Sequence, residues 1–213
     1  LLNSDFSVLK DVLMEGRRVV NNITNVARIF FIKTIYSMLL SLFNIVTNTT
    51  FPFIPIQITL IDLVIEGYTS FFLSFLSNSK PIKGTFLKTV IKNALPYSLT
   101  IIISIIILTF TGQGLGLSQE ESTTMMYLII GGVSIFAVIA ACRPFNKIST
   151  FLCTTTAIGF IFAVYLFKDL LHLYPMGENE IMILIGILIL AYIVVVGLKS
   201  LIDRLSREFE RAK

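Results

Sequence analysis

Leu99-Thr100-Ile101-Ile102-Ile103-Ser104-Ile105-Ile106-Ile107-Leu108-Thr109-Phe110 carries no charge and no break in its apolar character. The run does not alternate, and with its flanks it is about twice the length of a barrel strand, so a β-barrel is excluded. A helix that crosses a bilayer needs about 20 mostly apolar residues. Working outward from this run, six such stretches appear, over residues 26–47, 53–76, 95–112, 123–142, 149–168 and 180–199. Composition agrees. Of 213 residues, 55% are hydrophobic and 14% charged, against about 45–50% and 25% in soluble domains. A soluble globule of this size has too little interior to hide that much apolar surface. The expected fold is an all-α membrane protein, a six-helix transmembrane bundle lying in a lipid bilayer.

The charges between the spans give a topology. Residues 1–28, up to the start of the first span, carry Lys10, Arg17, Arg18 and Arg28, and Lys80, Lys83, Lys88 and Lys92 lie between the second and third. Arg143 and Lys147 join the fourth to the fifth, and Lys199, Arg204, Arg207, Arg211 and Lys213 form the tail. The three remaining connections hold one cation, Lys168, with Glu120, Glu121, Asp169, Glu178 and Glu180. By the positive-inside rule both termini and the two basic connections are cytoplasmic. A net charge of +4 is too small to suggest nucleic acid. Cys142, Cys153 and His172 make no disulfide framework and no zinc spacing. No nucleophile elbow or phosphate-cradling glycine loop is present. Asn48-Thr49-Thr50 matches a glycosylation acceptor, a short pattern that carries no weight. The chain opens on Leu1-Leu2-Asn3-Ser4 without Met and reads as a piece of something longer.

The first span has a polar prelude. Residues 11–28 place Val12, Val19, Val20, Ile23 and Val26 at roughly helical spacing, and neither Pro nor Gly interrupts residues 17–43. Two readings stand: a juxtamembrane amphipathic helix on the lipid surface, or one helix of about 40 Å extended into the cytoplasm. The tail alternates charges like a solvated helix end.

Ionisable residues inside a bilayer cost about 2.5–3.5 kcal/mol each on insertion scales and point to function. Lys33 lies on the first span, and Asp62 and Glu66 on the second. Four apart, the two acids share a helical face and repel unless something positive joins them. A hard cation would serve, since carboxylates and carbonyls are its preferred ligands. Protons would also serve, and Lys33 is a built-in counter-charge that leaves the site at a net −1. The axial offset between Lys33 and Asp62 across an antiparallel turn is about 7–8 Å, which a snorkelling Lys nearly spans. Thr34, Ser37, Asn44, Gln57 and Thr59 lie near the same depth, and Pro52, Pro55 and Gly67 suggest a distorted helix with free carbonyls. A plain Lys–Asp or Lys–Glu bridge holding two helices together is the structural alternative. Thr154, Thr155, Thr156, Gly131 and Gly132 read as helix-packing residues, the two Cys as small apolar fillers, and His172 as exposed.

At this point the residues resemble a known family. Residues 1–7 (LLNSDFS), Glu15-Gly16-Arg17-Arg18 and Asn21-Asn22-Ile23 look like the pattern by which P-type (E1-E2) cation-transporting ATPases pass from their phosphorylation domain into membrane helix five. Phe53-Ile54-Pro55-Ile56-Gln57 through Asp62-Leu63-Val64-Ile65-Glu66-Gly67 is similar to membrane helix six, where calcium pumps read Asn-Leu-Val-Thr-Asp-Gly. The specific motifs cover about the first 95 residues; the later spans match helices seven to ten in number and orientation. The resemblance implies the C-terminal membrane module, helices five to ten, of a bacterial calcium-type pump in the plasma membrane. It implies Asp62 and Glu66 as ion ligands, with Thr34 and Ser37 as the helix-five ligands and Gln57, Thr59 and Asn44 along a candidate pathway. Calcium pumps carry Glu where Ser37 stands, and Lys33 is similar to gastric-type proton pumps. That departure favours one divalent ion, or an ion with proton counter-transport.

The implied organisation is a stalk over residues 1–25, an ion-site helix pair over 26–76, a four-helix support bundle over 77–199 and a tail over 200–213. The transported cation is expected to be Ca2+. ATP and Mg2+ belong only to the full-length protein, because the Asp-Lys-Thr-Gly-Thr motif and nucleotide residues are absent here; the cytoplasmic domains and helices one to four are the expected partners. Rival readings are a magnesium, manganese or monovalent-cation pump of the same family, a secondary cation transporter or channel with a midplane acidic site, and a non-transporting anchor. The transporter would need inverted repeats, which the two halves do not show. The anchor leaves the cost of Lys33, Asp62 and Glu66 unexplained.

Overall fold

The computed structural model describes residues 8–76, 81 and 84–211, with side chains through residue 208. Residues 1–7 of the motif, Lys80, Lys83 and Lys213 lie outside the described residues. Among the described residues every regular element is helical, and six helices are long and apolar enough to cross a membrane.

Helix α1, Leu9–Thr47, is a single helix of 39 residues, about 58 Å at 1.5 Å per residue. The polar prelude and the first span are thus continuous. Ile29, Ile32, Tyr36 and Leu40 recur at steps of three and four and form its buried stripe. Asn48 ends it in the left-handed region at φ 52°, its N–H bonded to the Asn44 carbonyl, a conformation Asn tolerates better than most residues.

The second span is composite. Helix α2 covers Pro55–Ile61, a π turn Asp62–Gly67, and helix α3 Tyr68–Leu73. Pro55 suits the first turn because its missing N–H has no helical partner there. Gln57 Oε1 accepts the Ile54 N–H at 3.1 Å, and its Nε2 donates to the Leu171 carbonyl at 2.9 Å. One amide therefore fixes both the entry of the span and its seat against the last connection. At the other end Asn22 Nδ2 of α1 donates to the Ser74 and Leu76 carbonyls at 3.0 and 2.8 Å. These are carbonyls that the helix end leaves without partners. Within the π turn the Tyr68 N–H reaches back to Leu63, five residues earlier. Gly67 makes room for this wide turn, since a Cβ there would stand 3.2 Å from the Asp62 carbonyl.

Helices α4 (Phe86–Thr111), α5 (Gln119–Ala141), α6 (Lys147–Leu166) and α7 (Glu178–Arg211) complete the bundle. Helix α4 is central and packs against α1, α5 and α7. Its Ser98 hydroxyl donates to the Ile32 carbonyl at 3.1 Å. Ser118 and Glu121 cap α5 reciprocally, and Asn146 Oδ1 caps α6 by accepting the Ser149 N–H. Tyr68 donates to Thr155 at 2.8 Å, which ties α3 to α6. Gly131 lies under the Phe160 ring and Gly132 against Leu188, so neither site has room for a Cβ. The surface facing away from this core is apolar, with Phe110, Ile161, Phe162, Ile189 and Leu190 more than half exposed. Such a surface suits lipid.

One predicted boundary shifts, and the helical reading of the tail holds. Helix α4 begins at Phe86, not at residue 95. Lys88, Lys92 and Asn93 mark the edge of apolar character rather than of the helix, and Pro96 is accommodated inside it. Helix α7 runs through the predicted tail as far as Arg211, because nothing between Lys199 and Arg211 breaks a helix.

Candidate functional site

The π turn faces α1 at mid-depth. Lys33 Nζ contacts both Asp62 carboxylate oxygens at 2.6 Å. About a third of each side chain is accessible in this chain, 32% for Lys33 and 39% for Asp62. Glu66, one turn further, is 4% exposed. It lies within electrostatic reach of Asp62 and Lys33; among the described residues no hydrogen bond to its carboxylate is found, and its oxygens keep a little accessible surface. One ammonium thus serves two carboxylates, and it is committed to the more exposed of them. A buried carboxylate without a dedicated partner is costly, which makes Glu66 the element of this site that needs a cation or a proton.

The other residues singled out from sequence divide into two groups. Gln57 and Asn44 are buried, at 3% and 8%. Gln57 is taken up by the backbone contacts given above. Asn44 Oδ1 accepts from Thr49 at 3.1 Å, while its Nδ2 is buried without a partner. Asn44 borders a polar cavity of about 400 Å3 that also includes Thr109, Gln113, Gln119 and Ser122. Thr34, Ser37 and Thr59 instead return their hydroxyls to their own helices, on the carbonyls of Phe30 (3.2 Å), Thr34 (3.2 Å) and Pro55 (3.0 Å). Thr34 and Thr59 are exposed on the surface of this chain.

Two residues of this neighbourhood escaped the sequence reading. Tyr36 and Tyr127 are 1% and 0% exposed, and neither hydroxyl has a hydrogen-bond partner. Tyr36 interacts electrostatically with Glu66, Asp62 and Tyr127. Through Tyr36 the two unpaired hydroxyls and the Glu66 carboxylate form one polar patch within the bundle. The one available signal was the placement of Tyr36, three residues after Lys33 and so on the same face of α1. Among the described residues no three His, Cys, Asp or Glu side chains converge on one point. The chemistry available is that of two carboxylates, one ammonium, two phenols and the carbonyls of a widened turn.

No protein-family model matches the chain. Over 94% of its length it is 38% identical to part of the probable cation-transporting ATPase exp7 of Streptococcus pneumoniae. Over 88% it is 30% and 27% identical to the calcium-transporting ATPase CtpE of Mycobacterium tuberculosis and of Mycolicibacterium smegmatis, respectively. The chain belongs to the cation-transporting P-type ATPases. It spans about a quarter of the length of the curated relatives it matches, 27% of exp7 and 26% of each CtpE. The likeness to P-type ATPases extends well past the first 95 residues and takes in the later spans. With six membrane-competent helices among its described residues, it is a multi-pass membrane chain.

Proposed function

We propose that this chain carries the ion-translocating region of an ATP-driven pump for calcium or a similar divalent cation, with Asp62 and Glu66 in the ion site. The observation that carries this reading is the buried, donor-free Glu66 in a π turn beside the Lys33–Asp62 bridge. π turns interrupt the ordinary carbonyl pairing of a helix and occur often at functional sites. Hard cations take six to eight oxygens. Two carboxylates, the carbonyls of the π turn and the hydroxyls of Thr34 and Ser37 offer part of such a shell, and the rest would come from outside this chain. The relatives named for calcium transport support that ion. The presence of Lys33 is the specific feature that favours a single divalent ion or proton counter-transport; magnesium, manganese and monovalent pumping are the alternatives of the same class.

In this reading residues 1–25 form a stalk from a phosphorylation domain. Residues 26–76 form the ion-site pair, 77–199 the supporting bundle and 200–213 a tail. Gln57, Thr59 and Asn44 border the path. The basic end faces the cytoplasm and the membrane is the plasma membrane, both supported by the charge asymmetry and the bacterial relatives. ATP and Mg2+ act on domains that precede this chain. The test is ion-dependent phosphoenzyme formation in the intact protein, with Asp62→Asn and Glu66→Gln across a panel of calcium, magnesium, manganese, sodium and potassium. Calcium dependence in the parent and a loss of apparent affinity in both variants are expected. Unchanged affinity in both removes the site assignment, and dependence on another ion corrects the cargo.

A further inference from the structure

A second feature lies where α4, α5 and α7 converge at the basic end of the bundle. There the three helices enclose a cleft of about 760 Å3. Its outer part is cationic: Lys92, Arg143, Lys199 and Arg207, against the single carboxylate of Asp203. Asp203 is already engaged by Lys92 at 2.9 Å. Among the described residues no carboxylate pairs with Arg143, Lys199 or Arg207. Its inner part is apolar and aromatic, with Phe136, Tyr192 and Val196. Phe136 and Tyr192 meet edge to face at 5.4 Å between centroids, which pins α5 to α7 along the floor of the cleft. From Tyr192 to Arg207 the cleft follows α7 for about 22 Å. Toward mid-membrane that same helix presents Ile189, Leu190 and Ile193 outward, so the apolar part of the cleft runs on into the lipid-facing surface.

We propose that this cleft is a binding site for one anionic glycerophospholipid. Its phosphate would lie among Arg143, Lys199 and Arg207, and its acyl chains along Tyr192, Val196 and the outer face of α7. Three features of the cleft select this occupant. Unpaired guanidinium groups match the geometry and charge of a phosphate. The cationic and apolar parts are stacked in the order a lipid presents at the rim of a bilayer. Basic pockets between membrane helices bind anionic headgroups. A soluble phosphate compound would use the cations and leave the aromatic floor without a function. The side of the membrane that this end faces rests on the topology proposed above, but recognition of the headgroup does not.

The test uses the intact protein in nanodiscs of phosphatidylcholine with one fifth phosphatidylglycerol on both faces, so orientation does not enter. Native mass spectrometry after detergent exchange counts retained phosphatidylglycerol, and thermal unfolding reports the stabilisation it confers. The parent should retain the lipid. Arg143→Gln, Lys199→Gln and Arg207→Gln should each lower its apparent affinity about fivefold, as expected for one cation near a headgroup. Arg17→Gln with Arg18→Gln, half-buried on the first part of α1, should leave it unchanged. Because the single variants alter exposed side chains, each reports even where the triple variant fails to fold. Equal retention in all of the cleft variants overturns the proposal. So does displacement of the lipid by inorganic phosphate or glycerophosphoglycerol at similar concentration, which would make the cleft a site for soluble anions. Failure of the ion-site variants would leave these readings untouched.

Discussion

Lys33→Ala separates a counter-charge from a mere brace. In the structure Lys33 Nζ reaches both oxygens of Asp62 at 2.6 Å. At an effective dielectric near 20, two unit charges about 3 Å apart attract by about 5 kcal/mol. Side-chain exposures of 32% and 39% on this chain leave room for water in an ion path to screen much of that. A fully exposed pair is worth about 0–1 kcal/mol, so a net of about 1–2 kcal/mol is reasonable here. A cation entering between Asp62 and Glu66 must push this ammonium aside. Removing it should therefore tighten apparent ion affinity by about 5- to 30-fold, at the usual tenfold per 1.4 kcal/mol. The ion-free half of the cycle should suffer instead, because two carboxylates would then be left without their resident cation. Dephosphorylation should slow, or come to depend on protons. Both quantities are measured in the intact protein, as the ion dependence of phosphoenzyme formation and as its decay rate from mildly acidic to mildly basic pH. Weaker ion affinity with normal dephosphorylation would refute the reasoning and show that Lys33 supports the bound state.

Gly67→Ala places a methyl 3.2 Å from the Asp62 carbonyl; the shift of a few tenths of an ångström that relieves this contact should change the width of the π turn and weaken ion affinity, while expression stays near normal. Ion affinity equal to the parent would show that the turn is indifferent to its own width. In a background without Cys142 and Cys153, Phe145→Cys at the basic end should resist an impermeant thiol reagent in intact cells and Gly114→Cys at the other end should react, both residues being exposed on the chain. The reverse pattern would invert the proposed orientation.

The number of spans was legible because a bilayer imposes one simple demand, an apolar run of sufficient length, and the basic residues fell on alternate connections. Helix starts were less legible, for a bilayer selects where polarity changes and not where hydrogen bonding begins; hence the early start of α4 at Phe86. In the candidate site, Lys33, Asp62 and Glu66 stood out because charge in an apolar run is expensive. Tyr36 and Tyr127 did not, since a phenol within a hydrophobic stripe looks like any core aromatic until its hydroxyl is seen without a partner. The distortion signalled by Pro55 and Gly67 proved to be a π turn at Asp62–Gly67, a detail that depends on how the span packs against α1 and that no local pattern specifies. The hydroxyls of Thr34, Ser37 and Thr59 could be placed at the right depth from sequence, but whether they turn outward or bond their own helix is a rotamer choice.

The clasp between Asn22 and the Ser74 and Leu76 carbonyls gives α1 the mechanics of a lever. The helix is uninterrupted from Leu9 to Thr47, so it bends little over that length. The clasp divides the shaft into an outer arm from Leu9 of about 20 Å and an inner arm to Lys33 of about 16 Å. With a fulcrum there, a sideways displacement at Leu9 arrives at Lys33 reversed in sense and reduced by only about a sixth, by the same rise per residue. Swinging the outer end by about 3 Å would carry Lys33 by more than 2 Å, enough to part it from Asp62, only if α4 moved with it, because Ser98 of α4 holds the neighbouring Ile32 carbonyl. The same fulcrum lies at the far end of the second span, so the arm that pulls on Asp62 pivots on the very segment that holds it.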